Sequence, residues 1–475
     1  EKKSTQKSRA FTPARMLAHS GNIRVVTSSG EALPMTESRV TLLLPSMGKL
    51  IAESFEAIFR GAGFNAKAHP PSDEAVLKLG RANTSCKECL PLILTTGTLL
   101  HYIQNHKQDG EVVVYFMATS SGPCRFGQYA IFMEDLIKRL EITDVALFSL
   151  TSENSYAGLG NNFHLNLWRG VVVSGIMEDI RSMLLANAHD TEAATRIFDE
   201  EWNKILGKFE KGNFSVLEEQ LVRTSERVRL IPLRHPPQDV PVIALVGEIF
   251  VRHDGISRQY LTERLAEKGF ATICAPVAEW LVYTDYLLEK GLVDRKLSKT
   301  EKLAFMFRKK YMARYKKRIK NILSRSGLIS EKPLNIKSII EKGKPYISPN
   351  MTGEAILTVG SALSEVVSHA CGVISIGPFG CMPSRVSEAI LNEIMNREGK
   401  LATEPNNDQL RSMLANIDDL PFLAIESDGS PFPQLIEANL ETLCLRADRL
   451  HNSMMEVRKE YKGKAGDRRK ALLAN

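Results

Sequence analysis

The sequence predicts an α/β protein: two Rossmann-like parallel-sheet domains related by internal duplication, with a helical bridge and a helical insertion. Two observations carry this. Short apolar runs ending in turn residues alternate with helix-period segments, and the alternation runs twice through the 475 residues. Two loops also share one construction. GPCRFGQY around Cys124 and GPFGCMPSR around Cys381 each follow an apolar run and place a single cysteine just before a helical segment.

Residues 1–38 are polar, lack an initiator methionine and suggest a segment cut from a longer polypeptide. Arg39–Pro45 (RVTLLLP) is an apolar run closed by a turn signal, as expected of a buried parallel strand. A helix is expected over Lys49–Arg60, stopped by Gly61-Ala62-Gly63, then a strand running to Pro70-Pro71. The second half repeats this with a strand at Pro241–Gly247, a helix at Ser257–Lys268 and a strand at Ala271–Pro276. LILTTGTLL (Leu92–Leu100) aligns with AILTVGSAL (Ala355–Leu363), which sets Gly97 opposite Gly360. Glu111–Cys124 aligns with Gly372–Cys381, helices follow at Gly127–Leu140 and Ser384–Arg397, and Asp144–Leu150 pairs with Leu420–Gly429. The domains are therefore placed at 39–170 and 240–455. A bridge and linker fill 171–239, a Lys/Arg-rich insertion lies near 283–344, and 456–475 form a polar tail.

Composition narrows the function classes. Apolar content of 43% and charged content of 25% are ordinary for globular chains. No apolar run is long enough to span a bilayer and no signal peptide is visible, so a cytoplasmic protein with no membrane association is expected. The net charge of +7 is modest, and the basic run Arg308–Asn321 comes with no nucleic-acid-binding motif, so no nucleic-acid partner is expected.

Seven cysteines are too few for a disulfide framework in a chain this long. Cys86 and Cys89 form a CxxC, Cys124 and Cys381 occupy the repeated loops, and Cys371 precedes the strand that leads to Cys381. Ligands of open α/β sheets lie beyond the carboxyl ends of the strands, so thiols from both halves are expected to face one cleft. Helix N-termini there would lower thiol pKa values and favour an anionic cluster. Structural zinc usually draws on two short-range pairs, which this spacing does not supply; an iron–sulfur cluster assembled across domains fits better. Cys444, in a helical stretch, and Cys274, in a strand, read as core residues.

Several segments together resemble the 2-hydroxyacyl-CoA dehydratase family: ECLPLILTTG (Glu88–Gly97), SSGPCRFGQY (Ser120–Tyr129), GEIFVRHDGISRQYL (Gly247–Leu261), APVAEW (Ala275–Trp280), GEAILTVG (Gly353–Gly360) and GPFGCMPSRVSEAIL (Gly377–Leu391). The nearest branches are the double-cubane cluster proteins and the dehydratase-like region of acyl-CoA dehydratase activase fusions. The resemblance implies a 4Fe–4S or double-cubane cluster, with Cys89, Cys124 and Cys381 at the family's ligand positions. Cys86 and Cys371 would add ligands, and Cys274 is a sixth candidate. It further implies a dimer, and an ATP-dependent activator, as a separate chain or a fused domain, that supplies low-potential electrons. The expected reaction is reduction of a small molecule or radical dehydration of a 2-hydroxyacyl-CoA. A non-catalytic electron relay or regulatory scaffold is the alternative. Arg252, His253, Glu279 and Trp280, in loops after second-domain strands, are the candidate substrate contacts, with capping and packing as their ordinary roles. No phosphate-binding loop is visible, so ATP hydrolysis is assigned to the activator.

Overall fold

The computed structural model describes residues 11–19, 22–85, 87–119, 124–149, 161–292, 297–330 and 335–473. Three short antiparallel strands come first: β1 (Arg15–His19), β2 (Asn22–Val26) and β3 (Ala32–Pro34). They lie within the 1–38 segment expected only as a polar extension. The strands are short, but Val25, Leu33 and Met35 are buried, and Ser28 and Asp144 exchange two 2.9 Å backbone-to-side-chain hydrogen bonds that pin the meander to the first lobe.

The first lobe contains β4 (Val40–Leu44), α1 (Lys49–Gly61), β5 (Asn65–Ala68), α2 (Glu74–Ala82), α3 (Leu90–Asn105), β6 (Val112–Phe116), α4 (Tyr129–Arg139) and β7 (Val145–Phe148). Its parallel sheet has the order β5-β4-β6-β7, and all five β4 residues are buried, as helices on both faces require. The bridge folds as α5 (Asn161–Asn187), α6 (Thr191–Glu210) and α7 (Phe214–Arg229), and Phe198 and Trp202 of α6 share a core with Phe59 of α1.

The second lobe contains β8 (Val242–Gly247), α8 (Leu261–Glu267), β9 (Ala271–Cys274), α9 (Val277–Lys290), α10 (Lys299–Leu323), α11 (Ile336–Gly343) and α12 (Ala355–Glu365). It continues through β10 (Gly372–Pro378), α13 (Met382–Ile394), α14 (Arg397–Thr403), α15 (Asp408–Met413), β11 (Phe422–Ser427) and α16 (Gln434–Leu473). Its parallel sheet runs β9-β8-β10-β11, the same topology as the first. The helix expected from Ser257 begins only at Leu261, because Gln259 and Tyr260 take left-handed backbone conformations (φ 48° and 53°) that no helix contains. The C-terminal tail is helical to Leu473, continuing α16.

The duplication extends to atomic packing. In the first lobe a Cβ on Gly97 would meet the Val76 carbonyl oxygen at 2.0 Å, and one on Gly80 would meet that of Ile93 at 2.0 Å. In the second, Gly360 stands 2.0 Å from the Ile339 oxygen by the same construction, and Gly343 stands 2.8 Å from that of Ile356. One constant displacement carries residues 76, 80, 93 and 97 onto 339, 343, 356 and 360. The α2–α3 and α11–α12 pairs are thus the same backbone-on-backbone contact built twice, and α11 belongs to the repeat, not to the insertion.

The lobes interlock. Val76, Leu77, Leu90, Ile93 and Leu94 of α2 and α3 belong to the second lobe's hydrophobic core. Arg81 donates to the Asp428 carbonyl (2.7 Å) and to Ser430 Oγ (3.1 Å) across the boundary.

Candidate metal centre

In each sheet the chain reverses direction between its first and third strands, β4 and β6 in one lobe and β8 and β10 in the other. Such switch points leave a crevice at the carboxyl ends, where open α/β sheets take their ligands. Three thiols sit at these ends in the same local role. Cys89 is the N-cap of α3, Cys381 is the N-cap of α13, and Cys124 is the N-cap of the 3-10 turn Arg125–Gln128 that leads into α4. Cys124 Sγ accepts the Phe126 N–H at 3.5 Å. Proline in the first turn of both α3 and α13 suits those starts, since its missing N–H has no partner there anyway.

The three thiols share one electrostatic environment. The charge of Cys381 acts on Cys89, that of Cys89 acts on Cys124, and Glu248 acts on all three. Burial is the largest influence on each and pushes each thiol upward, Cys381 to about 11. Cys124 is exposed at the surface, yet desolvation is still the largest influence on its thiol. Local donors pull the other way: the Tyr129 hydroxyl and Leu92 N–H on Cys89, and Ser384 on Cys381. The expectation that helix N-termini would hold these thiols low is therefore corrected. Desolvation is the larger influence on all three.

Glu248, Tyr129 and Glu354 complete the surroundings, and none was singled out from the sequence. Glu248 directly follows β8 at the switch point, and its Oε2 accepts the Phe250 and Val251 N–H groups at 3.0 and 2.8 Å. Tyr129, the first residue of α4, is buried with its hydroxyl on Cys89 Sγ at 2.5 Å. Glu354 receives Arg252 Nη1 at 3.2 Å, and burial raises its carboxyl to about 8. The signal was available for two of them. Glu248 lies at the strand end where the first lobe has its own turn, and Tyr129 closes the loop that carries Cys124.

The remaining sequence-derived candidates divide. Cys86 lies outside the described residues. Cys371 does not join the group: it precedes β10, whose seven residues separate it from Cys381, and its Sγ donates to the Val242 carbonyl at 3.2 Å inside the core. Being 1% exposed, it is pushed up to about 12 by that burial. Cys274 ends β9 beside Arg252 and His253 and is raised to about 12 by burial, and Cys444 is buried in α16.

Arg252 and Glu279 are turned inward, 3% and 1% exposed. Arg252 donates to the Ala275 carbonyl at 2.8 Å and to the Gly247 carbonyl, and pairs with Glu354 and, at 4.0 Å, with Glu279, which also accepts from Ser361 Oγ at 2.8 Å. The two residues tie the ends of β8 and β9 to α9 and α12. Trp280 packs its ring 5.6 Å from that of Tyr283. His253 contacts the Ala275 carbonyl at 3.2 Å and lines a small recess with Met47, Gly48 and Lys49 at the start of α1; burial and two arginines push its imidazole well down.

Among the described residues, no group of three or more His, Cys, Asp or Glu side chains is close enough to hold a single metal ion. A multi-iron cluster offers each thiolate its own iron, so its ligands stand wider apart than those of one ion. Among the same residues no helix is long and apolar enough to cross a membrane. No protein-family model matches the chain, and no curated protein matches it either.

Proposed function

We propose that the chain is an iron–sulfur redox protein, its cluster held by Cys89, Cys124 and Cys381 at the border of the two lobes. It would accept low-potential electrons from an ATP-hydrolysing activator, then reduce a small substrate or drive radical dehydration of a 2-hydroxyacyl-CoA. One observation carries the reading: three thiols from two repeated halves, Cys89, Cys124 and Cys381, each cap a helical start. When bound, the cluster supplies one-electron chemistry at a potential set by its charge, burial and hydrogen bonds. The chain's own residues have defined tasks. The Tyr129 hydroxyl and the Phe126 N–H donate to the sulfurs of Cys89 and Cys124, as groups that tune a cluster do. Binding a cluster would require each thiol to give up its proton, against a burial that favours the neutral form.

The test is iron and sulfide content, with electron paramagnetic resonance, on anaerobically purified protein. Wild type is expected brown with several irons per chain, Cys89→Ser, Cys124→Ser and Cys381→Ser each depleted, and Cys371→Ala unchanged. Iron-free protein prepared without oxygen, or equal iron in all four variants, ends the proposal.

A further inference from the structure

Beside Cys89, on the side facing α4, lies a cavity of about 230 Å³ lined by Lys87, Glu88, Cys89, Leu92, Arg125, Gln128, Tyr129 and Phe132. Its floor is apolar: Leu92 and Tyr129 are buried and Phe132 is half-buried. Its rim is cationic. Lys87 and Arg125 are both exposed, and Arg125 Nη1 donates to the Lys87 carbonyl at 2.8 Å, which fixes the guanidinium across the mouth. One carboxylate stands among them, but Glu88 is already engaged. Its oxygens accept from the Ser85 N–H (2.9 Å), the Ser85 hydroxyl (2.8 Å) and the Lys87 N–H (3.1 Å). The remaining guanidinium N–H groups and the Lys87 ammonium have no anion within bonding distance among the described residues. An apolar floor under a few convergent polar groups is how small-molecule sites are built.

We infer that this cavity binds a small organic anion, its carboxylate on Arg125 and Lys87 and its apolar body on Leu92, Tyr129 and Phe132. Size decides between substrate classes. Drug-sized ligands need roughly 300–1,000 Å³, so 230 Å³ suits a short or single-ring acid and is too small to enclose an entire acyl-CoA. The assignment of this anion as substrate rests on the redox reading above and turns it toward reduction of a free acid. Tyr129 joins the two sites, lining the cavity while its hydroxyl bonds Cys89 Sγ. A bound acid therefore lies one side chain from the proposed cluster.

The experiment is a fluorine NMR titration of the full chain with 4-fluorobenzoate and its neutral isostere 4-fluorobenzamide, run on anaerobically purified and on iron-stripped protein. The acid is expected to bind at least about tenfold more tightly than the amide, as a bidentate charge-assisted contact provides. Arg125→Gln should remove that preference, Phe132→Ala should weaken both ligands several-fold, and Cys371→Ala should change neither. Equal affinity for acid and amide, or an Arg125→Gln variant that binds like wild type, overturns the inference. Displacement of the acid by benzoyl-CoA at equal concentration overturns the size limit. The two proposals fail separately: missing iron leaves the titration of the stripped chain intact, and missing discrimination leaves the iron content intact.

Discussion

Replacing Gly97 by alanine tests both the duplicated helix contact and its link to the proposed metal site. A Cβ there would lie 2.0 Å from the Val76 carbonyl oxygen, where ordinary contact begins at 3.4 Å. The obstacle is backbone, so no rotamer relieves it, and α2 and α3 must part by roughly the difference, about 1.4 Å. Overpacking of this kind costs about 1–3 kcal/mol, occasionally more. The upper end applies here because Val76 and Leu77 on one side, and Ile93 and Leu94 on the other, are embedded in the second lobe's core. Alanine returns about 1 kcal/mol of helix propensity, leaving a net loss of about 2 kcal/mol. For a folding unit the size of one lobe this lowers the thermal midpoint by about 4–8 °C. Gly207 in α6 is the matched control: a Cβ there meets nothing within 4 Å, so Gly207→Ala should be neutral or raise stability by up to about 1 kcal/mol. Because Cys89 caps α3, the shift should also reduce iron loading in Gly97→Ala and leave it intact in Gly207→Ala. Calorimetry and iron analysis on the same preparations read both effects. A folded Gly97→Ala protein melting at or above wild type would refute the reasoning.

Three further outcomes are expected. Asp179 is raised by burial from 3.8 to about 7, so between those values the folded chain holds a proton the unfolded chain has released. Stability therefore falls as pH rises through that window, and Asp179→Asn should flatten the fall in melting curves taken between pH 4 and 7. Arg252→Met strands Glu279 in the interior and should cost about 3–5 kcal/mol; adding Glu279→Gln should recover part of the loss, and no recovery would show that their pairing is not the cause. With burial holding Cys381 near 11, iodoacetamide should modify it in the iron-free chain more slowly than glutathione at pH 8, and speed up only as pH approaches that value. Faster modification than glutathione at neutral pH would mean that the start of α13 outweighs burial.

The parallel sheets were legible because their central strands are short, mostly apolar runs bounded by turn residues. Val40–Leu44 and Gly372–Pro378 are buried along their whole lengths, and such runs admit few alternatives. The cysteine loops were legible for a related reason: a lone thiol between a strand and a helix has nowhere to go but the carboxyl edge. Other features depended on contacts that one sequence does not display. Cys371 stood ten residues from Cys381 in the chain, but a strand lies between them and carries the two sulfurs to opposite ends. Arg252 and Glu279 had the chemistry of substrate contacts, and their inward course is set by carboxylates and carbonyls from four separate elements. The weight of burial against helix capping at the thiols likewise follows from how closely the lobes meet, a quantity absent from local pattern. The N-terminal meander was missed because its strands are too short to show a period.

The matched glycine contacts have a bearing on ancestry. A chain that rebuilds one helix pair at one fixed displacement has the form of a fused pair of half-length subunits, and in such a pair every feature of one half would have its twin. The displacement that matches Gly97 with Gly360 matches Cys89 with Thr352, so the twin of that thiol is missing. The helix pair is repeated while the thiols are not: of Cys89, Cys124 and Cys381, two belong to the first lobe and one to the second. A ligand of the proposed site would therefore meet two unlike rims, although the two sheets behind them share one topology.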